Sequence, residues 1–270
     1  GEGSREALDG LASVAWLERQ RGELDAAETL LRNVLDGRRR LFGEDRHETA
    51  QSMNDLAYVL ELQGKLDEAE ELHRKALAIM RRLLGDEALD TLTSMGNLAS
   101  VLSGQGRLDE AQSLMRERLD TARRVLGEDH RDTVRAMSSY ASLLGQLGHY
   151  EEGAVLSRAV YDANRRMLGE DHPETIVAAA NVAMTLGTMG KLADSEPLLR
   201  DTLARARRVL GTQHPDTLTV LSSLAAILST RGSLAEAEGL LREARDVSAE
   251  LRGEDHCDTL YHTTGLAECL

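Results

Sequence analysis

Gly-Glu-Asp-His-Pro-Glu-Thr, residues 169–175, returns as Gly-Thr-Gln-His-Pro-Asp-Thr at 211–217 and as Gly-Glu-Asp-His-Cys-Asp-Thr at 253–259. The glycine that opens this segment recurs every 42 residues, at Gly43, Gly85, Gly127, Gly169, Gly211 and Gly253. Its closing threonine keeps the same step through Thr49, Thr91, Thr133, Thr175, Thr217 and Thr259. A second glycine series runs in phase: Gly22, Gly64, Gly106, Gly148, Gly190 and Gly232. Six periods pass without an insertion or deletion, so repetition is the first fact about this chain.

Working outward from these markers, the apolar spacing is helical. Met53, Leu56, Ala57 and Leu60 follow an i, i+3, i+4, i+7 pattern, and Leu66, Ala69, Leu72, Ala76 and Leu83 form a second stripe. Gly64 lies between the stripes, where one helix ends and the chain reverses. Asp67 and Glu68 open the second helix and Arg81 and Arg82 close it, as the helix dipole favours. Each unit is therefore an antiparallel helix pair that buries its stripe only against its neighbours. The expected repeats are 5–42, 43–84, 85–126, 127–168, 169–210 and 211–252, with a partial unit at 253–270. That makes about thirteen helices, the last running from about Asp258 to Leu270.

Met53-Asn54-Asp55-Leu56-Ala57, the Gly64-Lys65-Leu66 turn and Asp67-Glu68-Ala69-Glu70 resemble a tetratricopeptide repeat (TPR). The 42-residue period, the His-Pro-Glu/Asp-Thr linkers and Ser195-Glu196-Pro197-Leu198 narrow the resemblance to the kinesin-light-chain type. The resemblance covers essentially residues 1–270 and implies a single all-α array, a right-handed α-solenoid of antiparallel helix pairs. It is specific for fold and not for role.

Composition narrows the role. The chain has 270 residues and only seven aromatics (five Tyr, one Trp, one Phe), against the usual make-up of sandwiches and barrels. A net charge of −14 repels a polyphosphate backbone, so nucleic acid is not an expected partner. The apolar runs fall well short of the ~18 residues that span a bilayer, and no signal peptide opens the sequence, so no membrane partner is expected either. Two cysteines, Cys257 and Cys269, make no disulfide framework, which fits a cytoplasmic setting. Cys269 reads as a small core hydrophobe and Cys257 as a surface thiol.

No residue set supports catalysis or a cofactor. Gly64-Lys65-Leu66 and Gly190-Lys191-Leu192 lack the upstream glycine and the Ser/Thr of a phosphate loop. His130, His172, His214 and His256 form a column one repeat apart. Successive helix ends lie at least a packing distance of ~8–10 Å apart, too far to share one metal ion. The segment reads instead as a turn and N-cap, with Asp/Glu and Thr as the capping side chains. The Arg pairs 39–40, 81–82, 123–124, 165–166 and 207–208 read as dipole partners facing the acidic linker that follows, rather than as a basic stripe for an acidic partner.

In the TPR family the first helix of each pair lines a concave groove. Carried onto this sequence, the resemblance places Trp16, Arg19, Gln51, Asn54, Tyr58, Arg135, Ser138 and Met184 inward, with Asn97 and Asn181 where family members often hold ligand backbone. Trp16 and Tyr58 occupy equivalent positions of adjacent repeats, as binding anchors or as packing against the neighbouring helix. Gly96, Ser138, Ala180 and Ser222 read as a floor of small residues. The function these residues imply is a non-catalytic scaffold that captures a protein or peptide segment. Its alternatives are the sensing arm of a larger signalling or defence protein, and a module that self-associates through the terminal helix.

Overall fold

The two glycine series shape the backbone. All twelve have positive φ, between +74° at Gly190 and +99° at Gly43, and no other residue type does among the described residues. Only glycine enters this region without strain. The computed structural model describes residues 4–254 and 257–269. Among the described residues the chain forms thirteen helices and no strand. Six antiparallel pairs come first. They are α1 (Arg5–Gln20) with α2 (Leu24–Phe42), α3 (His47–Leu62) with α4 (Leu66–Leu84), and α5 (Leu89–Gly104) with α6 (Leu108–Leu126). α7 (Arg131–Gln146) with α8 (Tyr150–Leu168), α9 (Pro173–Thr188) with α10 (Leu192–Val209), and α11 (Pro215–Arg231) with α12 (Leu234–Arg252) follow. α13 (Cys257–Cys269) starts a seventh repeat. The side chains of Cys257 and Cys269, and all of His256, lie outside the described residues.

The chain divides into two compact units, Gly1–Leu143 and Leu144–Leu270. In the first, Met53, Leu56, Leu60 and Met80 form the core with Ala15, Ala27, Ala57 and Ala76. In the second, Leu199, Leu221, Leu224 and Leu228 pack with Ala183, Ala206, Ala225 and Ala244, and Leu266 of α13 joins them. Alternating leucine and alanine lets helices approach closely while their ridges interlock.

Each linker is held by its own repeat. The N–H of Gly85 donates to the carbonyl of Arg81 at 3.0 Å and closes α4, and Gly43, Gly127, Gly169 and Gly253 close their helices in the same way. Gly85 has φ +82° and ψ 171°, a conformation closed to residues with a Cβ. Gly85→Ala is expected to lower stability by about 2 kcal/mol, measured as a fall in the urea midpoint.

Three members of the threonine column return to the linker glycine rather than capping the helix. The hydroxyls of Thr49, Thr217 and Thr259 donate to the carbonyls of Gly43, Gly211 and Gly253 at 2.7–2.8 Å. The capping atom is the histidine ring. Nδ1 of His130, His172 and His214 accepts the backbone N–H two residues on, at 3.1–3.2 Å. The segment is thus a turn and N-cap, but its capping side chain is His and not Asp, Glu or Thr. An imidazole oxygen-mimic works here because β-region backbone at His172 and His214 aims Nδ1 at the first free N–H groups.

The arginine pairs span repeats. The first member reaches the linker that follows, as in Arg39–Glu44 at 2.7 Å and Arg81–Asp86 at 3.0 Å. The second reaches back to the preceding linker, as in Arg82–Asp45 and Arg208–Asp171, both 2.7 Å. A further ladder joins second helices at i, i+36: Arg32–Glu68, Arg74–Glu110 and Arg81–Glu117 in the first unit, Arg200–Glu236 and Arg207–Glu243 in the second. Each exposed pair contributes only ~0.2–1 kcal/mol, so their effect is to fix register.

Candidate functional site

Within the first unit, residues of α1, α3 and α5, with Leu31 of α2, line an open cleft of about 730 Å³. Trp16, Arg19, Asn54, Tyr58 and Asn97 all line it, so the fold gathers these five sequence-predicted residues at one place. Trp16 is 54% exposed and Tyr58 41%, although large aromatics are normally buried. The Arg19 guanidinium lies 4.8 Å from the centre of the Tyr58 ring, which restrains both side chains. Ala12, Ala15 and Leu31 supply the apolar wall.

Asp55 lies beside Asn54 in the cleft. Its carboxyl is reached by solvent at the mouth, yet the surrounding protein removes much of its hydration and raises its pKa; the Arg38 and Arg19 charges oppose that rise.

Asn54 is committed to the protein at both ends of its amide. Its Nδ2 donates to the Ser94 hydroxyl on α5 at 2.8 Å, and its Oδ1 pairs at 2.8 Å with Nδ1 of His73 on α4. Because Oδ1 is an acceptor, His73 carries its proton on Nδ1. His73 is fully buried and its Nε2 has no hydrogen-bond partner among the described residues. Desolvation lowers its pKa to about 4, so the ring is neutral. The same i, i+40 bridge recurs in the second unit, where Ser222 on α11 meets Nδ1 of His262 on α13 at 3.1 Å.

The remaining predicted residues lie elsewhere. Gln51 is exposed on α3 outside the cleft wall. On α7, Ser138 is exposed and Arg135 pairs with Asp132 at 2.8 Å. Asn181 is exposed and Met184 half-buried on α9, in the second unit. The floor of small residues is open only at Ser138: Ala180 and Ser222 are buried, and a side chain occupies the space beside Gly96.

That side chain is Arg118 of α6, which sequence reasoning missed. A Cβ built on Gly96 would stand 2.8 Å from Arg118 Nη1 and 2.9 Å from Cζ. Arg118 is 6% exposed, and burial pushes its pKa down to about 10, with Arg135 adding to the effect and Asp132 opposing it. The signal was available in the repeat columns. Equivalents of Arg118 are Val34, Ala76, Val160, Thr202 and Ala244, and equivalents of Gly96 are Ala12, Asn54, Ser138, Ala180 and Ser222. The one arginine and the one glycine are paired departures.

No helix among the described residues is long and apolar enough to cross a membrane. The tetratricopeptide-repeat model matches residues 7–82, 53–124, 90–154 and 176–250. No curated protein matches the chain in sequence. Among solved structures, the nearly identical TPR-like repeats assigned to a kinesin light chain of Podosopora anserina are 23% identical over 77% of this chain and 98% of theirs, with a TM-score of 0.68. BtubC (BKLC) from P. vanneervenii is 18% identical over 85% of this chain and 92% of its own, with a TM-score of 0.72. A Rap protein complexed with Competence and Sporulation Factor is 14% identical over 96% of this chain and 73% of its own, at 0.61. With helix pairs, 42-residue period and family model in agreement, the chain belongs to the tetratricopeptide-repeat family and has the repeat fold of the kinesin-light-chain type.

Proposed function

We propose that the protein is a non-catalytic scaffold whose first unit captures a peptide or protein segment in the α1–α3–α5 cleft. The observation that carries this is the exposure of Trp16 and Tyr58 toward one partly apolar cleft, with polar groups around them. Exposed aromatics held by a rigid helical frame are the usual anchors of protein recognition, because they bury a large area at little entropic cost. Asn97 offers an amide for the backbone of a bound segment, while the amide of Asn54 holds α3, α4 and α5 in place. The Rap protein's complex with its factor supports the reading, since that solenoid shares the fold.

The test is panning a random peptide library against the wild-type protein and measuring the recovered binders by calorimetry. Trp16→Ala with Tyr58→Ala is expected to weaken them at least tenfold, about 1.4 kcal/mol or more, with helicity unchanged. Binders that hold the double variant as tightly as the wild type would remove this cleft from the proposal.

A further inference from the structure

We propose that an open stripe of α1, made of Ala7, Gly10, Val14 and Leu17, is the contact face of a weak, two-fold symmetric dimer of this chain. The spacing i, i+3, i+7, i+10 puts these four residues on one side of the helix. The inference stands apart from the cleft reading. Leu17 borders both surfaces, but Val14 lies outside the cleft wall.

The later repeats show what this face does when it is covered. Val14 is 43% exposed and Leu17 48%. The equivalents of Val14 are Leu56, Leu98, Tyr140, Val182, Leu224 and Leu266, and every one is buried. Val59, Val101, Leu143 and Ile227, in the column of Leu17, are buried as well. α3, α5, α9, α11 and α13 each rest on the second helix of the pair before them, and α1 holds the same stripe in the open. Trp16 makes the contrast. Its repeat mate Tyr58 is exposed too, so that exposure belongs to the cleft, whereas the exposure of Val14 is confined to α1. Adjacent large apolar side chains left in water favour association.

The ends of the stripe choose the occupant. Glu6 is exposed in the first turn of α1, and Arg21 follows the last helical residue. Arg5, the other charge of that first turn, leans toward Asp9 and Glu48. Arg21 is exposed and reaches Glu18 of its own helix at 3.4 Å. When two copies of α1 cross antiparallel about Val14, the first turn of each meets the last turn of the other. Glu6 of one copy then faces Arg21 of the second, and the two-fold axis makes that pair twice. Gly10 comes opposite Leu17. A Cβ built on Gly10 would meet nothing within 4 Å, so the backbone there is open to an incoming leucine. Antiparallel crossing also brings opposite ends of the two helix dipoles together. One face thus supplies both halves of the contact, as a closed isologous dimer requires. The stripe is far smaller than the roughly 20–30 residues a side of a standard interface, so its dissociation constant falls in roughly the tens-of-micromolar range.

Sedimentation equilibrium of the full chain, over about a hundredfold range of concentration, tests the dimer. The mass is expected to rise from one chain to two and to stop there. Val14→Arg sets like charges together at the two-fold axis, and is expected to keep the chain monomeric throughout with helicity unchanged. Glu6→Arg is expected to weaken the dimer about tenfold, and Glu6→Arg combined with Arg21→Glu to restore it. A double variant no tighter than Glu6→Arg overturns the antiparallel pairing. A wild-type monomer at every concentration overturns the proposal and leaves the stripe to a different occupant. Growth beyond two chains also overturns it, because a head-to-tail contact does not close. A dimer that survives Val14→Arg overturns it as well, and its loss in Tyr261→Ser would assign the contact to the exposed ring on α13.

Discussion

Arg118→Met is expected to raise the free energy of unfolding by about 3 kcal/mol at neutral pH. The guanidinium is 6% exposed, and its pKa of about 10 means that the charged form is disfavoured in the folded chain relative to the unfolded one. Methionine keeps the length of the stem, fills the space beside Gly96 and carries no charge to desolvate. The neighbours favour the exchange: with the cation gone, Arg135 keeps Asp132 to itself. The urea midpoint, read by helicity, is the measurement. Arg38→Met is the control, and it should fall rather than rise, because it strands Asp9 and Ser52. A drop in stability for Arg118→Met as well would mean that its guanidinium holds the fold together in the way Arg38 does.

Acidification should weaken the protein by up to about 3 kcal/mol through His73. In the unfolded chain this ring takes up a proton near pH 6.5, while in the folded protein it resists until about pH 4. Between those values the unfolded state binds the extra proton, so stability falls with pH and the loss is complete below about 4. The geometry explains the resistance. Nδ1 is already a donor to Asn54, and a second proton would sit on Nε2, which is buried without an acceptor. Glu28, held near 2 chiefly by Lys65, adds its own loss at lower pH, but wild type and variant share it. The test compares the slope of stability against pH from 7 to 4.5 in wild type and His73→Leu, leucine being what three equivalent positions, Leu31, Leu199 and Leu241, carry. Removing the histidine strands the Asn54 carbonyl and lowers stability at every pH, yet the slope should flatten. Identical slopes would show that His73 does not titrate differently on unfolding.

Both predictions come from side chains whose importance the sequence conceals, and the reason is distance along the chain. The helix pairs, the turns at Gly64 and Gly106 and the linker at Gly85 follow from local rules, because apolar period and glycine φ are decided within a few residues. That Trp16 and Tyr58 share a face is what the family resemblance implied, and both line the same cleft. What counting does not give is which side chains meet across helices. Asn54 reads as a ligand contact by its column, yet its partners are 19 and 40 residues away. Gly96 reads as open floor, yet the arginine that fills it is 22 residues on, on another helix. The histidine caps were misread for a different reason. Asp and Thr are commoner caps, but here His stands two residues before the acidic side chain and three before the threonine, at the true boundary of α9 and α11.

The cross-repeat bonds at fixed offsets have a consequence for how such a gene can change. Arg32–Glu68, Arg74–Glu110 and Arg200–Glu236 are one interaction displaced by whole repeats, and Asn54–Ser94 and Ser222–His262 join the same two columns with different side chains. A duplicated 42-residue block would therefore arrive with donors and acceptors already in register for both flanks. Recombination between repeats can lengthen or shorten the protein in whole units without a new interface having to be invented, while a single-residue insertion would put out of register the pairs whose two members flank it.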